Sequence, residues 1–174
     1  LHRLNNQVIR EILTWSKLKH AHILPLLGVI DESNSASVQQ DLHLISPWMF
    51  FGTANQFLRK RPEADLSNIV SELCGISAGL VYMHENNVVH GDIKGDNILI
   101  SNYGVPYIAD FGLSRLQVTS AAATNTSRKG TLRWMARELL GHERVSPTAK
   151  SDVWAFGMTM LVSNTEHLAL VHLG

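Results

Sequence analysis

His90-Gly91-Asp92-Ile93-Lys94-Gly95-Asp96-Asn97, followed by Asp110-Phe111-Gly112, decides the reading of this chain. Apolar residues bracket the first stretch, Val88-Val89 before it and Ile98-Leu99-Ile100 after it. Two short strands there would pin both ends of one loop and let Asp92 and Asn97, five positions apart, point into a single cleft. Asp92 is a candidate base. Asn97 and Asp110 offer the oxygen ligands that Mg²⁺ takes. The plain alternative is a polar surface turn between strands.

With those residues in view, the chain resembles a eukaryotic protein kinase, closest to the serine/threonine members of the tyrosine-kinase-like group. The resemblance implies an α+β bilobal fold. Residues 1–46 would be a small-lobe remnant with one helix and two strands, 47–51 the hinge, and 52–174 part of a mainly helical large lobe. It implies transfer of the γ-phosphate of ATP, with Mg²⁺, to a protein serine or threonine in signal transduction. Asp92 would orient the acceptor hydroxyl and take its proton, and Lys94 would offset charge on the moving phosphate. Asn97 and Asp110 would hold the metal ion. Lys94 points to serine or threonine acceptors, and Thr131 would shape the acceptor pocket beside Asp92 and Lys94. Ser46-Pro47-Trp48-Met49 resembles the hinge that receives adenine, with Ser46 as a small gatekeeper. Pro47 has no N–H to give, but Met49 can supply one. Leu99 belongs to the same nucleotide-binding set.

His90-Gly91-Asp92 with Asn97 also matches small-molecule kinases acting on aminoglycosides or choline. Gly130-Thr131-Leu132-Arg133-Trp134-Met135-Ala136-Arg137-Glu138 argues against them, because it resembles the end of a protein-kinase activation segment. Arg137 departs from that pattern, which has proline there. Ser151-Asp152-Val153-Trp154-Ala155-Phe156-Gly157 is a further match, and in the family this aspartate accepts hydrogen bonds from the 90–97 backbone. Asp152 also suits a helix N-terminus as a cap. Gly91 stands where most regulated kinases carry the arginine that reads a phosphorylated activation loop. Hydroxyls such as Ser114, Thr119 and Thr126 would therefore lack the usual partner.

Glu11 lies in a helix that resembles the movable one of the small lobe, where its partner would be a strand lysine contacting the phosphates. Only ten residues precede Glu11. That leaves no room for such a lysine or for a glycine-rich loop, so Glu11 is expected to be a solvated carboxylate. The chain is expected to be a fragment inactive alone, and a pseudokinase or scaffold is the alternative. Trp15, one turn on, would stack with Leu26, His90 and Phe111.

The chain has 174 residues, against roughly 250 or more for a complete two-lobed domain. Its 15 basic and 15 acidic residues cancel, leaving no field to attract nucleic acid. A hydrophobic fraction of 45% fits a globular domain rather than a disordered tail. The single Cys74 excludes an internal disulfide and, with no secretory signal, suggests the cytoplasm. No apolar run is long enough for membrane insertion.

Periodicity predicts a helix over 5–20, strands near 26–30 and 42–46, and a short helix over 52–61 stopped by Pro62. A long helix follows from about residue 65 to Glu85, with Ile69, Leu73, Ile76, Leu80 and Met83 as its buried stripe. Short strands at 98–100 and 107–109 flank the turn Asn102-Tyr103-Gly104. Residues 113–133 read as an extended loop. Ser151 would open a helix through Val162, apolar on nearly every side, so a chaperone is an expected partner.

Overall fold

The computed structural model describes residues 6–31, 42–60, 66–116, 132–141 and 145–173. The elements in order are α1 (Asn6–Trp15), β1 (Gly28–Asp31), β2 (Leu42–Ile45), β3 (Gly52–Thr53) and α2 (Ala54–Arg59). Then come α3 (Leu66–Glu85), β4 (Val88–Val89), β5 (Ile98–Ile100), β6 (Pro106–Ile108), β7 (Arg115–Leu116) and α4 (Ala149–Leu173). Among the described residues, three small antiparallel sheets stand between the helices: β1–β2, β3–β5–β6 and β4–β7. This is an α+β architecture.

The middle sheet and α3 build the core. Ile98 and Ile108 face each other across β5 and β6, and both are fully buried. Ile76, Leu80 and Met83 of α3 join them, so the helical stripe read from the sequence is the buried one over these positions. Each such side chain contributes about 1.5–3 kcal/mol of burial. Ile69 and Leu73 have side chains outside the description.

The chain after α1 is stitched onto this core. Leu24 N donates to Ile108 O, and Ile108 N donates to His22 O, both at 2.9 Å. Trp15 Nε1 donates to Leu24 O. That bond turns the chain, and α1 stops at Trp15 rather than at His20 as periodicity suggested.

Local chemistry explains the other elements. Thr53 Oγ1 accepts from Gln56 N, and Gln56 Oε1 accepts from Thr53 N, a reciprocal cap that starts α2. Gly52, at φ +71°, leaves space for that glutamine. The β5–β6 turn closes on Ser101 Oγ, which accepts from Tyr103 N and Val105 N, with Gly104 at φ +78°.

Three expectations need correction. Residues 113–133 are not loop throughout: Arg115–Leu116 pairs with Val88–Val89, and Leu132–Trp134 forms a 3₁₀ turn. Helix α4 starts at Ala149, before Ser151, because Thr148 Oγ1 and Ser151 Oγ cap each other's backbone N–H. Nor does it end at Val162. No proline or glycine interrupts residues 163–173, and the helix runs to Leu173. Val153 and Trp154 on it are half-exposed while Ala155 is buried, so over residues 149–162 the helix is covered on one side only. No helix among the described residues is long and apolar enough to cross a membrane.

Candidate active site

The 90–97 loop is pinned as its flanking residues suggest. β4 enters it and β5 leaves it, both largely buried. His90 is fully buried. Its Nδ1 accepts from Asp92 N at 3.2 Å, so the ring proton sits on Nε2, which donates to Ala109 O at 3.0 Å. Gly91 follows at φ +82°, a left-handed conformation that side chains with a Cβ resist.

Asp152 holds that turn from below. It is 1% exposed, and its Oδ2 and Oδ1 accept from His90 N and Gly91 N, each at 2.8 Å. The expected hydrogen bonds from the loop are therefore present. The expected cap is not: Asp152 lies within the first turn of α4, and Thr148 and Ser151 do the capping.

Asp92, Lys94 and Asn97 converge. Asp92 is buried, and its Oδ2 accepts from Lys94 Nζ at 2.6 Å and from Asn97 Nδ2 at 3.0 Å. Asn97 Nδ2 also donates to Asp92 O at 2.8 Å. Asp92 Oδ1 is buried with no hydrogen-bond partner among the described residues. A buried acceptor left open in this way is costly unless something fills it.

Asp110 comes to the same place through the sheet. Ala109 N donates to Asn97 O at 2.9 Å, which sets Asp110 beside Asn97 at the mouth of the β5–β6 hairpin. Asp110 is exposed and left-handed, at φ +62°, with Oδ1 accepting from Gly112 N. Phe111 turns inward and is fully buried. Its ring lies 5.4 Å from Trp15 and 5.7 Å from His90, with Leu26 packed on the same cluster. Of the stack read from the sequence, the contacts of Phe111 with Trp15 and with His90 are present.

Glu11 departs from expectation. It is half-buried rather than solvated, because α1 packs on the Phe111–Leu113 turn and brings Glu11 to the side of Gly112. Burial first, and the negative charge of Asp110 second, push its carboxyl above the ordinary value.

On the other side of β5, the 47–51 segment is tied on by Phe51 N, which donates to Ile100 O at 3.2 Å. Met49 and Leu99 both pack against the main core. Ser46 and Pro47 are half-buried. Trp48 is 87% exposed, so its side chain packs on little. Thr131 lies outside the described residues, as does Pro62.

Sequence reasoning passed over two contacts. Asn55 Nδ2 donates to Asp96 Oδ1 at 2.8 Å, tying α2 to the loop, and Gly95 lets it close in. His84 Nε2 lies 3.0 Å from Asp152 Oδ2. Asn55 and His84 lie outside the stretches quoted from the sequence, so spacing alone gave no signal for them.

Against known families, the model described as protein tyrosine and serine/threonine kinase matches residues 2–165. The chain belongs to that protein kinase family. Among curated relatives, it is 28% identical to the tyrosine-protein kinase Btk of Drosophila melanogaster over 87% of this chain and 19% of that protein. It is 28% identical to the serine/threonine-protein kinase STY17 of Arabidopsis thaliana, over 91% of this chain and 27% of the relative. A probable receptor-like protein kinase of Arabidopsis thaliana is 35% identical over 87% of this chain and 17% of its own length. This kinase chain thus spans well under a third of each of those relatives. Its architecture is a partial α+β kinase fold.

Kinases of this family generally use ATP and Mg²⁺. The donor set fits such an ion. Both bonds of the Asn97 amide nitrogen go to Asp92, which leaves Oδ1 as the atom available to a cation. Asp110 adds an exposed carboxylate. Among the described residues no group of three or more His, Cys, Asp or Glu could hold a metal unaided. Two protein oxygens completed by water and phosphate is the usual arrangement for Mg²⁺.

Proposed function

We propose that this chain is part of a protein kinase that transfers the γ-phosphoryl group of ATP to a serine or threonine of a protein substrate, as a step in signalling. The observation that carries the reading is Asp92. One of its oxygens is fixed by Lys94 and Asn97, and the other is buried without a partner among the described residues. An acceptor hydroxyl that donates to Oδ1 would be held with its oxygen aimed away from the carboxylate. As the oxygen bonds to the γ-phosphorus, its proton passes to Oδ1, and the bond from that phosphorus to the bridging oxygen breaks, releasing ADP. Lys94 supplies positive charge beside the path. Mg²⁺ held by Asn97 and Asp110 would neutralise the phosphates.

In this reading residues 1–46 belong to the small lobe, 47–51 to the hinge and 52–174 to the large lobe. Adenine would sit between Leu99 and the hinge, against Ser46, Pro47, the Trp48 backbone and the Met49 N–H. Thr131 would line the acceptor pocket. Lys94 supports serine or threonine acceptors by resemblance, and a cytoplasmic place follows from that of such enzymes. The test is phosphoamino-acid analysis after the protein, expressed from its natural coding sequence, is incubated with labelled ATP, Mg²⁺ and a basic protein substrate. Phosphoserine or phosphothreonine is expected. Phosphotyrosine alone would overturn the acceptor class, and no transfer would overturn the enzyme reading.

A further inference from the structure

The 3₁₀ turn Gly95–Asn97 carries the second partner of Asp92 at its end, and Lys94, the first, leads into it. Lys94 is extended there and gives the turn no side-chain cap. A tie comes instead from 41 positions away. Asn55 Nδ2 donates to Asp96 Oδ1 at 2.8 Å, and the same side chain lies against buried Gly95.

Gly95 shows what that placement demands. Its backbone is outside the left-handed region, so its own conformation would accept alanine. A Cβ there would collide with Asn55 Oδ1 and come within 2.7 Å of Asn55 Cγ. Glycine is therefore required at this position by the neighbour on α2. Asn55 is itself firmly seated. It lies two residues past β3, which pairs with β5 at Gly52–Ile100 and Thr53–Leu99, and α2 buries Ala54, Phe57 and Leu58. β5 begins at Ile98, directly after the turn. The sheet thus holds the turn at its exit, and Asn55 holds it at its middle.

We infer that Asn55 is a positioning residue, which fixes the Gly95–Asn97 turn and so keeps the Asn97 side-chain oxygen in place for the metal ion of the nucleotide. The inference rests on reading Asn97 as a Mg²⁺ ligand, but its first test does not. Asn55 touches neither nucleotide nor metal. In the same reading the hinge at 47–51 runs straight into β3, so losing Asn55 should loosen the metal end of the site and spare the adenine end.

Hydrogen exchange of the naturally expressed protein, read by mass spectrometry, tests the tie itself. In Asn55→Ala the peptide spanning 93–99 should exchange faster while the rest of the core is unchanged. Gly95→Ala, which displaces the amide and leaves α2 intact, should show the same local change. Asn55→Asp should as well, because it sets two carboxylates together. Adding Asp96→Asn to Asn55→Asp exchanges donor and acceptor, and slow exchange should return. Unchanged exchange over 93–99 in Asn55→Ala overturns the proposal. So does a rise throughout the core, which marks a merely structural role.

Calorimetry gives the second readout. Asn55→Ala should weaken Mg·ATP binding by about fivefold, the worth of one ordinary hydrogen bond, and leave adenosine binding unchanged. Equal loss for both ligands, or no loss for Mg·ATP, overturns the positioning role. A wild-type protein that binds neither ligand counts instead against the kinase reading, and the exchange result then decides the tie alone.

Discussion

Asn97 donates twice to Asp92 through one amide nitrogen, at 2.8 Å to the backbone carbonyl and 3.0 Å to the carboxylate. The two residues at the ends of the loop are thereby locked to each other before any ligand arrives. Asn97→Asp keeps the shape, removes both donations and sets a second carboxylate against the first. It should destabilise the chain by about 2 kcal/mol or more at neutral pH. Urea unfolding checks this, and a midpoint equal to wild type would mean the lock is not formed.

Asp92 and Asp110 should fail in different ways. In the naturally expressed protein, Asp92→Asn should abolish transfer and leave Mg·ATP affinity nearly unchanged, since the proposed role of Asp92 is toward the acceptor and not the nucleotide. Asp110→Asn should weaken Mg·ATP binding as well, because an amide is a poorer Mg²⁺ ligand than a carboxylate. Calorimetry separates the two, and equal loss of binding in both would reverse the assignment.

Gly91 is required by its backbone at φ +82°. Gly91→Ala should cost about 1–2 kcal/mol, the penalty for a Cβ in the left-handed region. Thermal melts of the two chains would show it. Since glycine also offers no guanidinium to read a phosphate, phosphatase treatment of the active protein should change its rate little. A hundredfold drop would show that another basic side chain has taken the role.

Glu11 should give the stability a pH signature. Its carboxyl is raised in the fold by burial and by Asp110, so the neutral form is favoured there. The stability tied to it is complete below 4.5 and is lost as pH rises through the raised value. Glu11→Gln should therefore be more stable than wild type at neutral pH, by up to about 1 kcal/mol given partial solvation. Near pH 4 the two melts should converge. A variant less stable than wild type at pH 7 would contradict this.

The loop and its flanks were readable because the motif is local. Val88-Val89, Asp92, Asn97 and Ile98–Ile100 sit within one short stretch, and the apolar runs that bracket the loop marked its strands. The buried face of α3 at Ile76, Leu80 and Met83 was readable for the same reason. What escaped was non-local. Two residues, Arg115 and Leu116, carry no strand signal until β4 is there to pair with them. The place of Glu11 depends on how α1 packs on the Phe111 turn, and that is set by Trp15 and Phe111 together. His84 meets Asp152 across 68 positions, a distance no periodicity spans.

Trp15 also makes the core visible to light. Its indole is 6% exposed, donates to Leu24 O and lies against Phe111, whereas Trp48 is largely exposed and Trp154 half-exposed. Its emission should be blue and shielded from soluble quenchers, while theirs should be red and quenched readily. If Phe111 swings out, the indole loses its neighbour and its spectrum should shift. The chain thus carries a built-in optical gauge of where its Asp110-Phe111-Gly112 segment points, readable without a label.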